Sequence, residues 1–418
     1  MPAASVFTPS HRPTFLDEAY ASLKAQTLQD WEWVVLLNNG AQWNPPDDPR
    51  VRVERADDLK GVGALKRRAC VLLSGDIFVE LDHDDVLVST CLEKVVAAFE
   101  AHPEVGFVFS DTAQITEKGG YDDSRFDERN GWIYSDVKVD GKLVQKFDAM
   151  EPSPHNVSYI WFAPNHVRAF RRQVYDAAGG YDNARDILDD QDLMGRLYQQ
   201  AGFLRIPECL YLQRMHGQNT QADPELNPRI QRETVALYDR DIKANLLAWA
   251  SREGLKALDM GAAHRPEPGF LGVDQYDTSN VDLVADINEG FPLPDSSVGV
   301  IRAVDFMEHI PDKIRLFNEM YRVLAHGGML LSLTPSTDGR GAWQDPTHVA
   351  FYNENSFWYF TDRQYANFVP QIECRFQVSR LVTYFPSDWH EQNKISYVCA
   401  NLIAIKDDGP RQGGILNF

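Results

Sequence analysis

Apolar residues along this 418-residue chain come in short runs separated by stretches with helical spacing, the pattern of an α/β fold. Residues 4–7 form an apolar strand ending at Thr8-Pro9-Ser10. Residues 15–28 carry apolar side chains at helical spacing, and residues 31–37 form a second buried strand that stops at the turn signal Asn38-Asn39-Gly40. This is a β-α-β unit. Open α/β sheets bind ligands beyond the carboxyl ends of parallel strands, so Thr8 and Asn39 are expected beside one crevice. Further strands are predicted over 51–54, 77–81, 105–110 and 207–212, with a helix over 63–73 and a long surface loop over 116–136.

A long amphipathic stretch over 224–252 precedes a second α/β series. Its strands are predicted over 257–260, 270–273 (ending at Asp274), 282–285 (ending at Asp286), 300–303 and 329–334, with a helix over 314–324. The chain also exceeds what one core usually organises. Two α/β domains are therefore expected: residues 1–222 and 254–408, joined by a helical linker over 223–253 and followed by a tail over 409–418. Only the nine residues 261–269, with Pro266 and Pro268 among them, separate the first two strands of the second domain. A crossover helix needs about a dozen, so it is expected short or missing, and Ala263 would press on an approaching cofactor.

Charged residues are 24% and hydrophobic residues 44% of the chain, and no apolar run approaches the roughly 18 residues of a membrane span. No transmembrane helix is expected. The start, MPAASVFTPS, lacks a secretory pattern, so cytoplasmic residence is expected. The five cysteines form no C-x-x-C pair and read as reduced thiols. A net charge of −20, from 61 acidic against 41 basic residues, opposes binding to nucleic acid or anionic membrane.

Three polar clusters interrupt this scaffold. Asp82-His83-Asp84-Asp85 ends the strand over 77–81; crowded carboxylates are tolerated when they cap a helix, face water or hold a metal. On this stretch alone, a cap by Asp84 or Asp85 on a helix over 87–101 and a metal site are balanced. Lys66-Arg67-Arg68 reads first as a solvated helix face, with a diphosphate contact as the alternative. Asp189, Asp190 and Asp192 open a helix reaching Gln200; one is expected to cap it, leaving the others for chemistry. An aromatic stretch over 343–360 surrounds Asp345 and His348, evenly balanced between core and ligand platform.

Taken in order, Thr8-Pro9, Gln26-Thr27, Asp82-His83-Asp84-Asp85, Gly179-Gly180-Tyr181-Asp182, Asp189-Asp190-Gln191-Asp192-Leu193 and Arg214-Met215-His216 resemble the inverting family 2 glycosyltransferases of the GT-A fold. The resemblance covers residues 1–222. It implies a nucleotide diphosphate sugar donor and a glycan or glycoconjugate acceptor. The D-x-D motif would place Asp82 on the ribose or diphosphate and Asp84 on Mn2+ or Mg2+, with His216 as a metal or diphosphate ligand. Thr8, Pro9, Arg12, Asn39, Asp57, Lys66, Arg67 and His83 would complete the donor site, and Asp190 would be the catalytic base. Asn38-Asn39 stands where the family usually carries an acidic residue for the nucleotide base.

Residues 255–400 are similar to class I S-adenosylmethionine-dependent methyltransferases, a Rossmann-like fold, through Leu258-Asp259-Met260-Gly261, Asp274, Ala285-Asp286-Ile287, Glu308-His309-Ile310-Pro311 and the helix ending before Gly327-Gly328. This implies S-adenosylmethionine at Gly261, Asp274, Asp286 and His309, and methylation of the same glycoconjugate. The reduced loop Gly261-Ala262-Ala263 keeps a second reading open, a cofactor-free acceptor-binding or dimerising module that would make the protein a homo-oligomer. The rival class for the whole chain is a non-catalytic carbohydrate-binding scaffold.

Overall fold

A computed structural model describes residues 1–217, 219, 223–262, 266–407 and 409–418. Ala263, singled out above, lies outside the described residues. The chain divides into two compact units, residues 1–128 with 132–245, and residues 129–131 with 246–418.

The first unit is built on strands β1 (Ala4–Ser10), β2 (Trp31–Leu37), β3 (Val51–Arg55), β4 (Ile77–Glu80), β5 (Val86–Leu87), β6 (Val105–Thr116), β7 (Tyr134–Val139), β8 (Lys142–Phe147), β9 (Arg168–Arg171) and β10 (Gly202–Met215). Its main sheet runs β3-β2-β1-β4-β9-β6-β10-β5. β1 to β4 are parallel, whereas β9 runs antiparallel to both β4 and β6. Helices α1 (Leu16–Lys24), α2 (Val62–Leu72), α3 (Cys91–Ala101), α4 (Pro154–Ser158), α5 (Arg172–Ala177), α6 (Asp189–Gln200) and α7 (Asn227–Arg252) accompany it. Val6, Val35 and Val79 are fully buried with Leu16, Leu23, Leu92 and Val95 from α1 and α3. Covering helices are why these parallel strands read as unbroken apolar runs.

Several boundaries differ from expectation for identifiable reasons. The helix predicted from Leu87 begins at Cys91, because Val86 and Leu87 pair with Leu212 and Tyr211 of β10. Neither Asp84 nor Asp85 can therefore cap it. β6 runs past Ser110 to Thr116; Asp111 and Gln114 are buried inside it, with Lys146 and Arg205 paired to Asp111, so hydrophobic pattern alone ends it too early. The expected linker is mostly α7, and through Asn245 it belongs to the first unit. Thr234 donates to Gln191 Oε1, and Asn245 donates to Ser158 Oγ at 2.9 Å.

The second unit contains β11 (Lys256–Met260), β12 (Leu271–Asp274), β13 (Leu283–Val284), β14 (Val298–Val304), β15 (Leu324–Pro335), β16 (Phe376–Tyr384) and β17 (Tyr397–Ala404), in the order β13-β12-β11-β14-β15-β17-β16. The first five are parallel and β17 is antiparallel to both neighbours. Helix α8 (Lys313–Val323) buries Leu316, Phe317, Met320 and Val323. No helix occurs among the described residues between Met260 and Leu271. The aromatic stretch divides: Phe357 and Phe360 join the core, while Trp343, Trp358 and Tyr359 stay exposed. Residues 409–418 are no free tail, since Gln377 donates to Gly413 O and Asn417 bridges to Asp362. Four cysteines are buried, all five are free, and no helix among the described residues is long and apolar enough to cross a membrane.

Candidate active site

The carboxyl end of β4 gathers the first unit's chemistry around a buried charge. Glu80 is fully buried, and its Oε1 meets Lys66 Nζ of α2 at 2.7 Å and Arg168 Nη1 of β9 at 2.9 Å, while Tyr181 donates to Oε2 at 2.8 Å. Lys66 also reaches Asp189 at 2.7 Å, and Arg168 reaches Asp190 at 3.2 Å. The result is a chain of alternating charge, Asp189–Lys66–Glu80–Arg168–Asp190, that ties α2, β4, β9 and the start of α6 together. Burial alone would raise the Glu80 carboxyl; Arg168 and Lys66 outweigh it and hold it at about 2. Leu188, at φ +55°, turns the chain into α6 and makes no side-chain cap. None of the three acids is the N-cap that was expected. Instead Asp190 Oδ1 accepts the Gln191 amide at 2.8 Å, and Asp192 binds Arg196 and Arg240.

Two residues beyond β4, the Asp82 side chain keeps 35% of its surface exposed. Burial of the rest and the nearby Glu80 carboxylate push it up to about 7. His166, 1% exposed, stacks on Tyr211 with ring centres 4.1 Å apart and places Nε2 3.7 Å from Asp82. Asp82, Asp85 and His166 bring ligand-type atoms within 4.8 Å of one another. Asp84 Oδ2 meets His216 Nε2 at 2.9 Å. Asp85 supports the loop rather than facing the opening, accepting the Arg214 amide at 2.7 Å. Arg214, fully buried, donates to the Asp84 carbonyl at 2.8 Å and to Glu18 at 2.7 Å, which fixes the D-x-D loop against β10.

The other donor-site candidates divide by what already engages them. Thr8 Oγ1 donates to the Leu81 carbonyl at 2.7 Å and accepts from Trp33 Nε1 at 2.9 Å, so its hydroxyl braces β1 against its neighbours. Lys66 is buried between two carboxylates and departs from the solvated face that the triplet suggested, whereas Arg67 and Arg68 are exposed, Arg67 donating to the carbonyls of Gly179 and Tyr181, both at 2.8 Å. Asp57 accepts the Gly40 amide at 2.8 Å beside exposed Asn39. His83 packs edge-on to His11, with centres 5.0 Å apart, close to Pro9 and Arg12. Burial and the Asp84, His11 and Arg12 charges act on His83, with a net lowering of its pKa.

Sequence reading missed Glu80, Arg168 and His166. Glu80 carried a usable signal, because a carboxylate inside an apolar strand must find a cationic partner. Arg168 carried none, since Arg171 and Arg172, three and four residues on, donate to backbone carbonyls and lie over the Phe99 and Phe78 rings instead.

Asp82 with Asp85 and His166, and Asp84 with His216, offer carboxylate and imidazole donors of the kind that suit Mn2+ or Mg2+. Three carboxylates crowded into one loop, with Asp82 pushed up to about 7, give the loop a reason to take a cation.

In the second unit the fit to S-adenosylmethionine is incomplete. Gly261, at φ +72°, donates its amide to Val273 O at 2.9 Å, and a Cβ there would sit 3.0 Å from the Phe306 ring. Asp274, at the end of β12, accepts the Tyr276 amide at 3.0 Å, and exposed Asp286 accepts from Asn288 at 2.9 Å. Buried Asp259 binds Arg302 and the Glu267 amide, both at 2.8 Å, folding the short connection back on its strand. A carboxylate at the second strand end is present, but no described helix follows β11 to aim its amides at a ligand. His309 lies in the helical turn Met307–His309 that follows β14 and binds Thr347.

Residues 5–174 match the family model for glycosyl transferase family 2, and residues 255–332 match that for a methyltransferase domain. Among curated proteins, the O-antigen biosynthesis protein RfbC of Myxococcus xanthus is 26% identical over 223 residues, covering 50% of this chain and 16% of RfbC. Protein y4gI of Sinorhizobium fredii is 31% identical over 140 residues, covering 30% and 15%. The chain thus spans about one sixth of the length of these relatives. Among solved structures, S. aureus TarS has a TM-score of 0.40 at 14% identity, covering 59% of this chain and 72% of that one. The mannosyltransferase PcManGT of Pyrobaculum calidifontis, solved with GDP-Man and Mn2+, has a TM-score of 0.35 at 13% identity, covering 60% and 75%. The chain thus carries an N-terminal region that matches family 2 glycosyltransferases, followed by a C-terminal region that matches a methyltransferase domain.

Proposed function

We propose that the first unit is a metal-dependent inverting glycosyltransferase that moves a sugar from a nucleotide diphosphate sugar to a hydroxyl of a glycan or glycoconjugate. The observation that carries this reading is Asp190: a partly exposed carboxylate at the start of α6, aimed by Arg168 and the Gln191 amide. In this reading Asp190 takes the proton of the acceptor hydroxyl as that oxygen attacks the anomeric carbon. Attack opposite the leaving diphosphate makes one in-line displacement and inverts the centre. Asp82, Asp84 and His216 would hold Mn2+ or Mg2+, which when bound offsets the charge growing on the leaving group. The likeness to an O-antigen biosynthesis protein supports a glycan acceptor.

A thermal-shift series with UDP- and GDP-sugars, with and without Mn2+, tests the donor half. A ligand at 100 times its Kd stabilises by about 2.7 kcal/mol, so one donor should raise the melting temperature only when metal is present. Asp84→Ala should remove that increment. A full increment in chelator would count against the metal.

For the second unit, the absence of a helix after β11 among the described residues favours the cofactor-free module over a working methyltransferase. Titration calorimetry of the full chain with S-adenosylmethionine should show no heat at millimolar ligand. Micromolar binding would restore the methyltransferase reading.

A further inference from the structure

We propose that the second unit holds its own divalent transition-metal site, formed by Glu308, His309 and His348 on the segments that follow β14 and β15. Their ligand-type atoms lie within 4.8 Å of one another. Glu308 is 2% exposed, yet neither carboxylate oxygen is hydrogen-bonded to another residue. Its nearest imidazole nitrogen, His348 Nε2, is 4.0 Å away, beyond hydrogen-bond reach. A buried carboxylate left in this state is costly, and a cation satisfies it.

Both imidazoles are prepared as ligands. His348 Nδ1 lies 3.0 Å from the Ala342 carbonyl, and His309 Nδ1 lies 3.2 Å from the Thr347 carbonyl and 3.1 Å from the Thr347 hydroxyl. A carbonyl only accepts, so each Nδ1 carries the proton and each Nε2 keeps its lone pair. The Thr347 hydroxyl donates to Asp345 at 2.7 Å and so can only accept from His309. Asp345–Thr347–His309 is the outer support that orients a metal-bound imidazole and raises its basicity. The frame is rigid, because the Val349 and Ala350 amides both donate to the Glu308 carbonyl at 2.9 Å. Metal bonds of roughly 2.1 Å require the three ligand atoms to close to about 3.4 Å, which partly exposed His309 can accommodate. Two imidazoles and one carboxylate suit Mn2+, Fe2+, Co2+ or Zn2+ and leave coordination positions open.

Cobalt(II) titration of the full chain carrying Asp82→Ala, Asp84→Ala, His166→Ala and His216→Ala tests this apart from the first unit, with bound metal counted after dialysis and the visible cobalt bands recorded. One retained equivalent is expected, with loss of the bands and at least about a 100-fold weaker affinity when Glu308→Gln or His348→Gln is added. Asp345→Asn should weaken binding by about 10-fold, the lower end of the effect of outer-support residues. No retained cobalt in the parent overturns the proposal. So does cobalt whose affinity and spectrum survive replacement of both His309 and His348 by Ala, in variants that keep the parent's circular dichroism.

Discussion

Asp190→Asn should lower sugar transfer by about 10²–10⁴-fold, the usual contribution of a positioned general base, while donor affinity stays within about twofold. The substitution keeps shape and an oxygen able to accept the Gln191 amide, so the start of α6 should hold its course. What it removes is the capacity proposed for Asp190, to take the acceptor's proton, together with one ionic partner of Arg168. Arg168 retains Glu80 at 2.9 Å and should remain in place. Initial rates of nucleotide release, read beside donor titration calorimetry, separate the two effects. Unchanged turnover would refute the role of Asp190, and a parallel loss of donor binding would make it a structural residue.

Glu80→Gln should destabilise the first unit by about 3–5 kcal/mol, the cost of breaking a buried ion pair by removing one partner. The substitution leaves Lys66 and Arg168, 6% and 7% exposed, with only Asp189 and Asp190 as anionic partners. Urea unfolding followed by tryptophan fluorescence measures it, and a loss below about 1 kcal/mol would show that the network does not hold the site together. The pH dependence has a definite sign. Glu80 has its folded pKa depressed from 4.5 to about 2, so its contribution is present above pH 4.5 and is lost as pH falls towards 2. The parent should therefore lose its advantage over Glu80→Gln across that window, and the two stabilities should converge near pH 2.

Much of the scaffold was legible because its strands are apolar and its motifs are local. Parallel strands buried on both faces announce themselves as hydrophobic runs, and the acidic clusters stand where those runs stop. Strands that carry paired polar residues did not read that way. β6 continues through Asp111 because Lys146 and Arg205 neutralise it from β8 and β10, partners that no local pattern reveals. β16 and β17 escaped as well, being antiparallel strands at the far edge of the second sheet.

By itself, the sequence determined two α/β units, the order of the glycosyltransferase motifs and the carboxylates at the strand ends, since these rest on residue type and short-range periodicity. Only the tertiary structure decided which charges meet. It turned Lys66 from a surface cation into an internal tie and made Asp85 a loop support. It joined Arg168 to Asp190 across 22 residues and brought Glu308 to 4.0 Å from His348 across 40. The reason is physical: a side chain's role depends on its partners and on how much water remains around it, and both are settled by contacts between distant segments.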